Sequence, residues 1–239
     1  MRKFGYIFTL TIALFVLTGC LYPEEERAGH NIPPEADIQN VQSAVENFSE
    51  NEGGVLPIQT KSDTAEYLEY QIDFNSIVPE YLSDIPTTAY ENGGNFQYVI
   101  LDAEENPTVK LADLALIEEL RSLSLRINGM GEHVELGEQV GPNVYQLDLD
   151  FYNLQENPTV ISPYTGEELN VYYSGGQEFV IDYRPDLDKM IENENLDFET
   201  GDDIREILYE YTPIVPIYSP EMTVDENNEA IFMTSVHKN

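Results

Sequence analysis

The apolar positions along the chain alternate between two periods. From residue 35 to about residue 49 they fall at Ile38, Val41, Val45 and Phe48, which is one face of a helix. Pro33-Pro34 sets the start of that helix and Gly53-Gly54 its stop. Val55-Leu56-Pro57-Ile58, Ile72-Asp73-Phe74 and Val78-Pro79-Glu80-Tyr81-Leu82 follow. A Gly93-Gly94 turn then leads into a β-like run, Phe96-Gln97-Tyr98-Val99-Ile100-Leu101.

A similar order recurs in the second half. Asn106-Pro107-Thr108 precedes a helix expected over about 109–127, with Leu116, Leu120, Leu123 and Ile127 as one stripe. Leu111, Leu114 and Ile117 widen that stripe, so the helix is expected to be buried on more than one side. A strand is expected over 144–149, a turn at Pro163-Tyr164-Thr165-Gly166, and a hairpin of 169–173 and 178–183 across Ser174-Gly175-Gly176-Gln177. After these come a short helix near 186–191, an acidic loop over 192–203 and a helix over 202–211. The last helix carries its stripe on Ile204, Ile207, Leu208 and Tyr211, with Asp202 or Gly201 as its cap. Strands around 214–218 and 230–233 end the chain.

The two halves keep phase, since Ala36 to Tyr90 spans 54 residues and Leu111 to Tyr164 spans 53. The expectation is an α+β fold with helices packed on antiparallel sheets. Two tandem helix-then-sheet units would occupy 35–105 and 106–185, with 186–239 packed on the second. Asn-Pro-Thr-Val also occurs twice, at 106–109 and 157–160, but out of that phase; it reads as a repeated turn.

Charge changes the picture. The 239 residues carry 45 acids against 11 bases, a formal net charge of −34. Such a chain does not bind nucleic acid through basic patches. A single cysteine excludes a disulfide framework and a cysteine-cluster zinc site. That cysteine closes an N-terminal export pattern: Arg2-Lys3, an apolar run from Phe4 to Leu17, then Leu17-Thr18-Gly19-Cys20. The run is short for a membrane span, which needs about 20 residues.

Leu17-Thr18-Gly19-Cys20 resembles a bacterial lipoprotein box. The resemblance implies a signal peptide over 1–19, cleavage before Cys20, and a diacylglyceryl group on the Cys20 thiol. Cleavage would take Arg2 and Lys3 and move the charge from −34 to −36. Residues 20–34, with Glu24-Glu25-Glu26 and Pro33-Pro34, then read as a lipidated acidic tether that like charge extends.

The segments Val41 to Asn51, Gly53-Gly54-Val55-Leu56-Pro57, Tyr81-Leu82-Ser83-Asp84-Ile85-Pro86 and Gly94 to Leu101 loosely resemble the globular head of type II secretion pseudopilins. That resemblance implies a head shape only. A broader likeness rests on Tyr22-Pro23-Glu24-Glu25, Gly53-Gly54-Val55-Leu56-Pro57-Ile58, Asn106-Pro107-Thr108-Val109-Lys110-Leu111, Ser162-Pro163-Tyr164-Thr165-Gly166, Val180-Ile181-Asp182-Tyr183-Arg184 and Gly201-Asp202-Asp203-Ile204-Arg205. On these fragments the chain is similar to YphF-type lipoproteins of Bacillus-like bacteria. The likeness implies a protein on the outer face of a Gram-positive membrane and no particular mechanism.

Candidate chemistry is sparse. His30, His133 and His237 are far apart and in polar stretches. Neither a phosphate loop, a dinucleotide fingerprint nor a Gly-x-Ser-x-Gly elbow occurs, so no cofactor, metal or catalytic residue is assigned. Ser235-Val236-His237-Lys238 fits Ser-x-x-Lys without its companion motifs. Asp148 and Asp150, on an expected strand, would share a face. The loops at 192–203 and 225–229 could offer oxygen ligands to calcium. Tyr172, Tyr173, Tyr209 and Tyr211 read as core rather than as a sugar platform.

The expected function is that of a non-enzymatic interaction or assembly protein of the cell envelope, anchored in the membrane through lipid on Cys20. Its expected partner is another envelope protein. The alternatives are a small-ligand or calcium-binding receptor and a hydrolase built on two carboxylates. The acidity also suggests saline or alkaline surroundings, because salt screens like-charge repulsion. The melting temperature is therefore expected to hold or rise as NaCl increases from low values. A steady fall would contradict that reading.

Overall fold

The computed structural model describes residues 32–61, 65–131 and 133–234. Helix α1, Glu35–Asn51, forms where the sequence predicts it and buries Ile38, Val41, Ala44 and Val45. It lies against a four-stranded antiparallel sheet in the order β1-β2-β3-β4, made of Ile58–Thr60, Tyr70–Ile72, Phe96–Leu101 and Thr108–Asp113. A one-turn helix α2, Phe74–Ile77, is capped by the Asp73 side chain, which accepts from the Asn75 amide at 3.2 Å. Phe74, Ile77, Tyr98 and Ile100 join α1 in one apolar core.

The second expected helix starts later than its apolar spacing suggests. Residues 108–113 are strand β4, paired with β3 over six residues from Phe96↔Asp113 to Leu101↔Thr108. Val109 and Leu111 alternate inward with period two, and Leu111 packs into the first core. Leu111, Leu114 and Ile117 also fit a helical spacing, which is how the strand was hidden. The turn between β3 and β4 straddles the 105/106 boundary expected between units. Helix α3, Leu114–Asn128, begins where the Asp113 carboxylate accepts the Ala115 amide at 2.8 Å.

Helix α3 covers a second antiparallel sheet in the order β5-β6-β8-β7, with β9 also on β8. Its strands are Leu136–Gly141, Val144–Leu147, Thr159–Ile161, Glu168–Ser174 and Phe179–Ile181. The β8–β9 hairpin forms where expected. Both copies of Asn-Pro-Thr-Val lead into a strand, β4 and β7, at their threonine. The order helix-then-sheet does occur twice, but the two sheets differ in strand order. Leu111 lies in a strand while Ala36 lies in a helix, so the expected phase does not equate like with like.

Helix α4, Arg184–Glu194, is followed by a single helical turn α5, Glu206–Glu210, and by the β10–β11 ribbon of Met222–Val224 and Ala230–Phe232. The expected helix over 202–211 is thus reduced to five residues, with Arg205 at its N-cap and no side-chain capping bond. The ribbon packs its Phe232 so close to Gly141 that a Cβ there would sit 2.4 Å from the ring.

Residues 213–218 are not a full strand, yet they tie the two sheets together. The Leu111 amide donates to Pro213 O at 2.8 Å and the Val215 amide to Leu111 O at 2.9 Å, extending the first sheet past β4. The Ile181 amide donates to Tyr218 O at 2.9 Å, capping β9 of the second sheet. Ile214 faces the first core, while Val215 and Ile217 face the second. Tyr164 packs against both cores and donates its hydroxyl to Ile214 O at 3.3 Å. Tyr183 donates to Ile217 O at 3.1 Å.

Under this junction the fully buried Asp186 of α4 holds the turn before β8. Ser162 Oγ donates to both carboxylate oxygens at 2.9 Å, and Thr165 Oγ1 donates to one at 2.7 Å. Ser162 Oγ in turn accepts the amides of Tyr164 at 3.0 Å and Thr165 at 3.1 Å.

Two outcomes follow from this packing. Ile214→Ala empties a site that is 0% exposed, and urea unfolding is expected to show a loss of about 3 kcal/mol. A loss within error of zero would mean that the segment does not join the cores. Burial raises the Asp186 carboxyl above its ordinary value, against the lowering by the Thr165 and Ser162 hydrogen bonds. A raised folded-state value favours the folded chain while the group is protonated. That contribution is complete below the ordinary carboxylate range and is lost as pH climbs through the raised value. Between about pH 4 and about pH 7 the melting temperature of Asp186→Asn is expected to fall less steeply than that of the parent. Equal slopes would contradict it.

Candidate binding surface

Helix α3 is buried on one face only, through Leu116, Leu120, Leu123 and Ile127. The sequence reading expected more. Its outer face carries Glu118, Glu119, Arg121, Ser122 and Arg126, and Leu125 stands 71% exposed. The helix therefore forms a ridge with an open trough on each side. One trough, about 680 Å³, runs between α3 and β7 and is floored by Leu120, Leu123, Val160 and Val171. Glu118 and Glu119 stand toward one end of its helical wall and Arg126 toward the other. The second trough, about 470 Å³, lies between α3 and the β8–β9 hairpin, against Tyr173, Phe179 and Tyr218.

The charges at the first trough are unusual for this chain. Most cations among the described residues are already engaged. Arg184 makes a two-point contact with Asp182 at 2.7 Å and lies 4.0 Å over the Phe232 ring. The buried Arg205 bridges Asp203 at 2.6 Å and Glu66 at 2.7 Å. Lys189 pairs with Glu167, and Arg121 reaches Glu118 at 3.5 Å. Lys110 donates to the carbonyls of Tyr209 and Thr212, and burial lowers its pKa. Arg126 is exposed and makes no ion pair among the described residues.

The chemistry suggested by the sequence is dispersed. Cys20, His30, the Ser235-to-Lys238 motif and His237 lie outside the described residues. His133 is exposed. Asp148 and Asp150 do not share a strand face, because β6 ends at Leu147 and both lie in the turn beyond it. There the Asp148 carboxylate accepts the Phe151 amide at 2.9 Å, which is a turn-forming role. Asp225 likewise accepts the amides of Asn227 at 2.8 Å and Glu229 at 3.1 Å, and these backbone bonds hold its pKa below the usual value. Among the described residues no three His, Cys, Asp or Glu side chains converge as metal ligands do. Tyr172 is buried and Tyr211 is exposed. Tyr173 and Tyr209 are half-buried; burial raises the pKa of both, that of Tyr209 to about 12.

No sequence pattern marks the troughs. Their walls come from α3 and from β7, β8 and β9, and β7 is too short to announce itself. Its one signal was the second Asn-Pro-Thr-Val.

Among the described residues no helix is long and apolar enough to cross a membrane. No curated protein and no solved structure matches the chain. A family model does match: residues 34–113 fit the YphF family N-terminal domain. That span runs from the residue before α1 to the end of β4, so it contains the helix and all four strands of the first sheet. The likeness to YphF-type proteins read from the sequence is borne out over this segment, which is similar to the YphF family N-terminal domain.

Proposed function

We propose that this chain is a lipid-anchored protein of the extracytoplasmic membrane face that recognises another envelope protein and carries out no reaction of its own. Its attachment is a diacylglyceryl group on Cys20, in the setting Leu17-Thr18-Gly19-Cys20. Two acyl chains suffice to hold a folded body at a bilayer, since each buried CH₂ contributes about 0.8 kcal/mol. Attraction to lipid headgroups does not help, because the strongly acidic chain is repelled by an anionic surface.

The observation that carries the recognition role is the trough between α3 and β7. It is apolar along its floor, charged at its ends and open to solvent, which suits a macromolecular segment better than a small enclosed ligand. The ion pairs of Arg184 and Arg205 pin the second sheet and its attached helices, so the surface is presented on a rigid support.

Cys20→Ser is expected to abolish incorporation of radiolabelled palmitate and to move the protein from the membrane fraction to the soluble one. Equal labelling of the variant and the parent would overturn the anchor.

A further inference from the structure

We infer that β7 is a docking strand: an extended peptide of the partner adds to its free edge and lies in the trough beneath α3. This rests on the recognition role proposed above and specifies its partner class. Strand β7 pairs with β8 on one side, and no described strand lies on its other side. The register shows which backbone groups are free. The Val171 amide donates to Pro158 O at 2.7 Å, and the Ser162 amide donates to Glu167 O at 2.8 Å. In an antiparallel ladder the bonded residues alternate, so 158, 160 and 162 face β8. The backbone N–H and C=O of Thr159 and Ile161 therefore point away from the sheet. Neither residue makes another hydrogen bond among the described residues, and both are exposed. An edge of this kind is a template for a further strand.

The same pairing sets the side chains. Val160 is buried on the α3 side, while Thr159 and Ile161 point to the opposite face. Alternate residues of an added strand would thus turn toward the apolar trough, which would take Val- or Leu-sized groups. The helical wall from Glu118 to Arg126 is about 12 Å long, the length of about four extended residues. Its ends have opposite charge, with Glu118 and Glu119 at one and Arg126, which makes no ion pair among the described residues, at the other. The matching segment has alternating apolar residues, a base at one end and an acid or a terminal carboxylate at the other. The long-range field of a chain of charge −34 draws in the basic end first.

A phage-displayed library of random dodecapeptides, selected on the full chain in detergent micelles, tests this. Selected peptides are expected to share that pattern. Their affinity should fall about tenfold in Ile161→Pro, which deletes an outward N–H and no bond to β8. It should fall comparably in Arg126→Glu. Both variants are expected to melt within a few degrees of the parent, because an edge proline is tolerated and Arg126 makes no ion pair among the described residues. Peptides that bind Ile161→Pro as tightly as the parent, or a selection that enriches nothing over the blank surface, would overturn the docking strand. Photo-crosslinking on intact cells separates this failure from that of the broader role. A partner captured from a photoreactive residue at Tyr90 but not at Thr159 rejects the β7 site and keeps the recognition role. Capture at neither position rejects both.

Discussion

The bridge from Leu111 through Ile214 to Tyr218 is the constraint on which the rest of the structure depends. The first sheet turns Val99 and Ala112 into the second core, but that packing alone would leave an edge of β4 and an edge of β9 bare. One extended segment caps both edges with three backbone hydrogen bonds. Its side chains alternate between the cores, Ile214 to one and Val215 to the other. The buried carbonyls left over are taken by the hydroxyls of Tyr164 and Tyr183. Burial raises the pKa of both phenols well above 10, so they remain neutral donors at ordinary pH. A buried polar group without a partner costs more than a paired one contributes, which is why these tyrosines are not interchangeable with phenylalanine.

The excess of acid shapes the molecule by making each cation count. Arg205 holds Asp203, Glu66 and the Ser219 carbonyl together while lying near the Tyr67 ring. It thereby pins the loop before β2 to the C-terminal part of the chain. Arg184 joins Asp182 to the Phe232 ring, fixing the start of α4 against the β10–β11 ribbon. These contacts join pieces distant in sequence, where guanidinium geometry allows several bonds from one side chain. Against that economy Arg126, exposed at the end of α3, stands without an ion pair among the described residues. The helix dipole accounts for its position but does not require it to line a trough.

Elements with a continuous apolar pattern bounded by turn residues were legible in the sequence, whether they face one core, as α1 does, or both, as β3 does through Tyr98 and Val99. Helix α1, strand β3 and the β8–β9 hairpin each show an unbroken period and turn residues at their ends. β4 was read as helix because Leu111, Leu114 and Ile117 satisfy the helical spacing by accident of adjoining a real helix. β5 was missed because four of its six residues are exposed, so no buried face marks it. The strand expected around 214–218 proved to be a joint, because burial on both sides looks the same in sequence whether one sheet or two provide it. The aspartates at 148 and 150 looked paired only while β6 was drawn too long. The trough was illegible for a different reason: its walls are about forty residues apart in sequence, and no local pattern reports their meeting.

The position of Ile214 has a consequence in time. The segment similar to the YphF family N-terminal domain ends at residue 113, yet its core lacks a side chain that the chain supplies a hundred residues later. Synthesis runs from the N-terminus, so this domain emerges with the outer edge of β4 still uncovered. Maturation of the first half therefore waits on the arrival of the second. A nonsense change between residues 200 and 213 is not a local lesion; it would leave the first domain permanently unfinished.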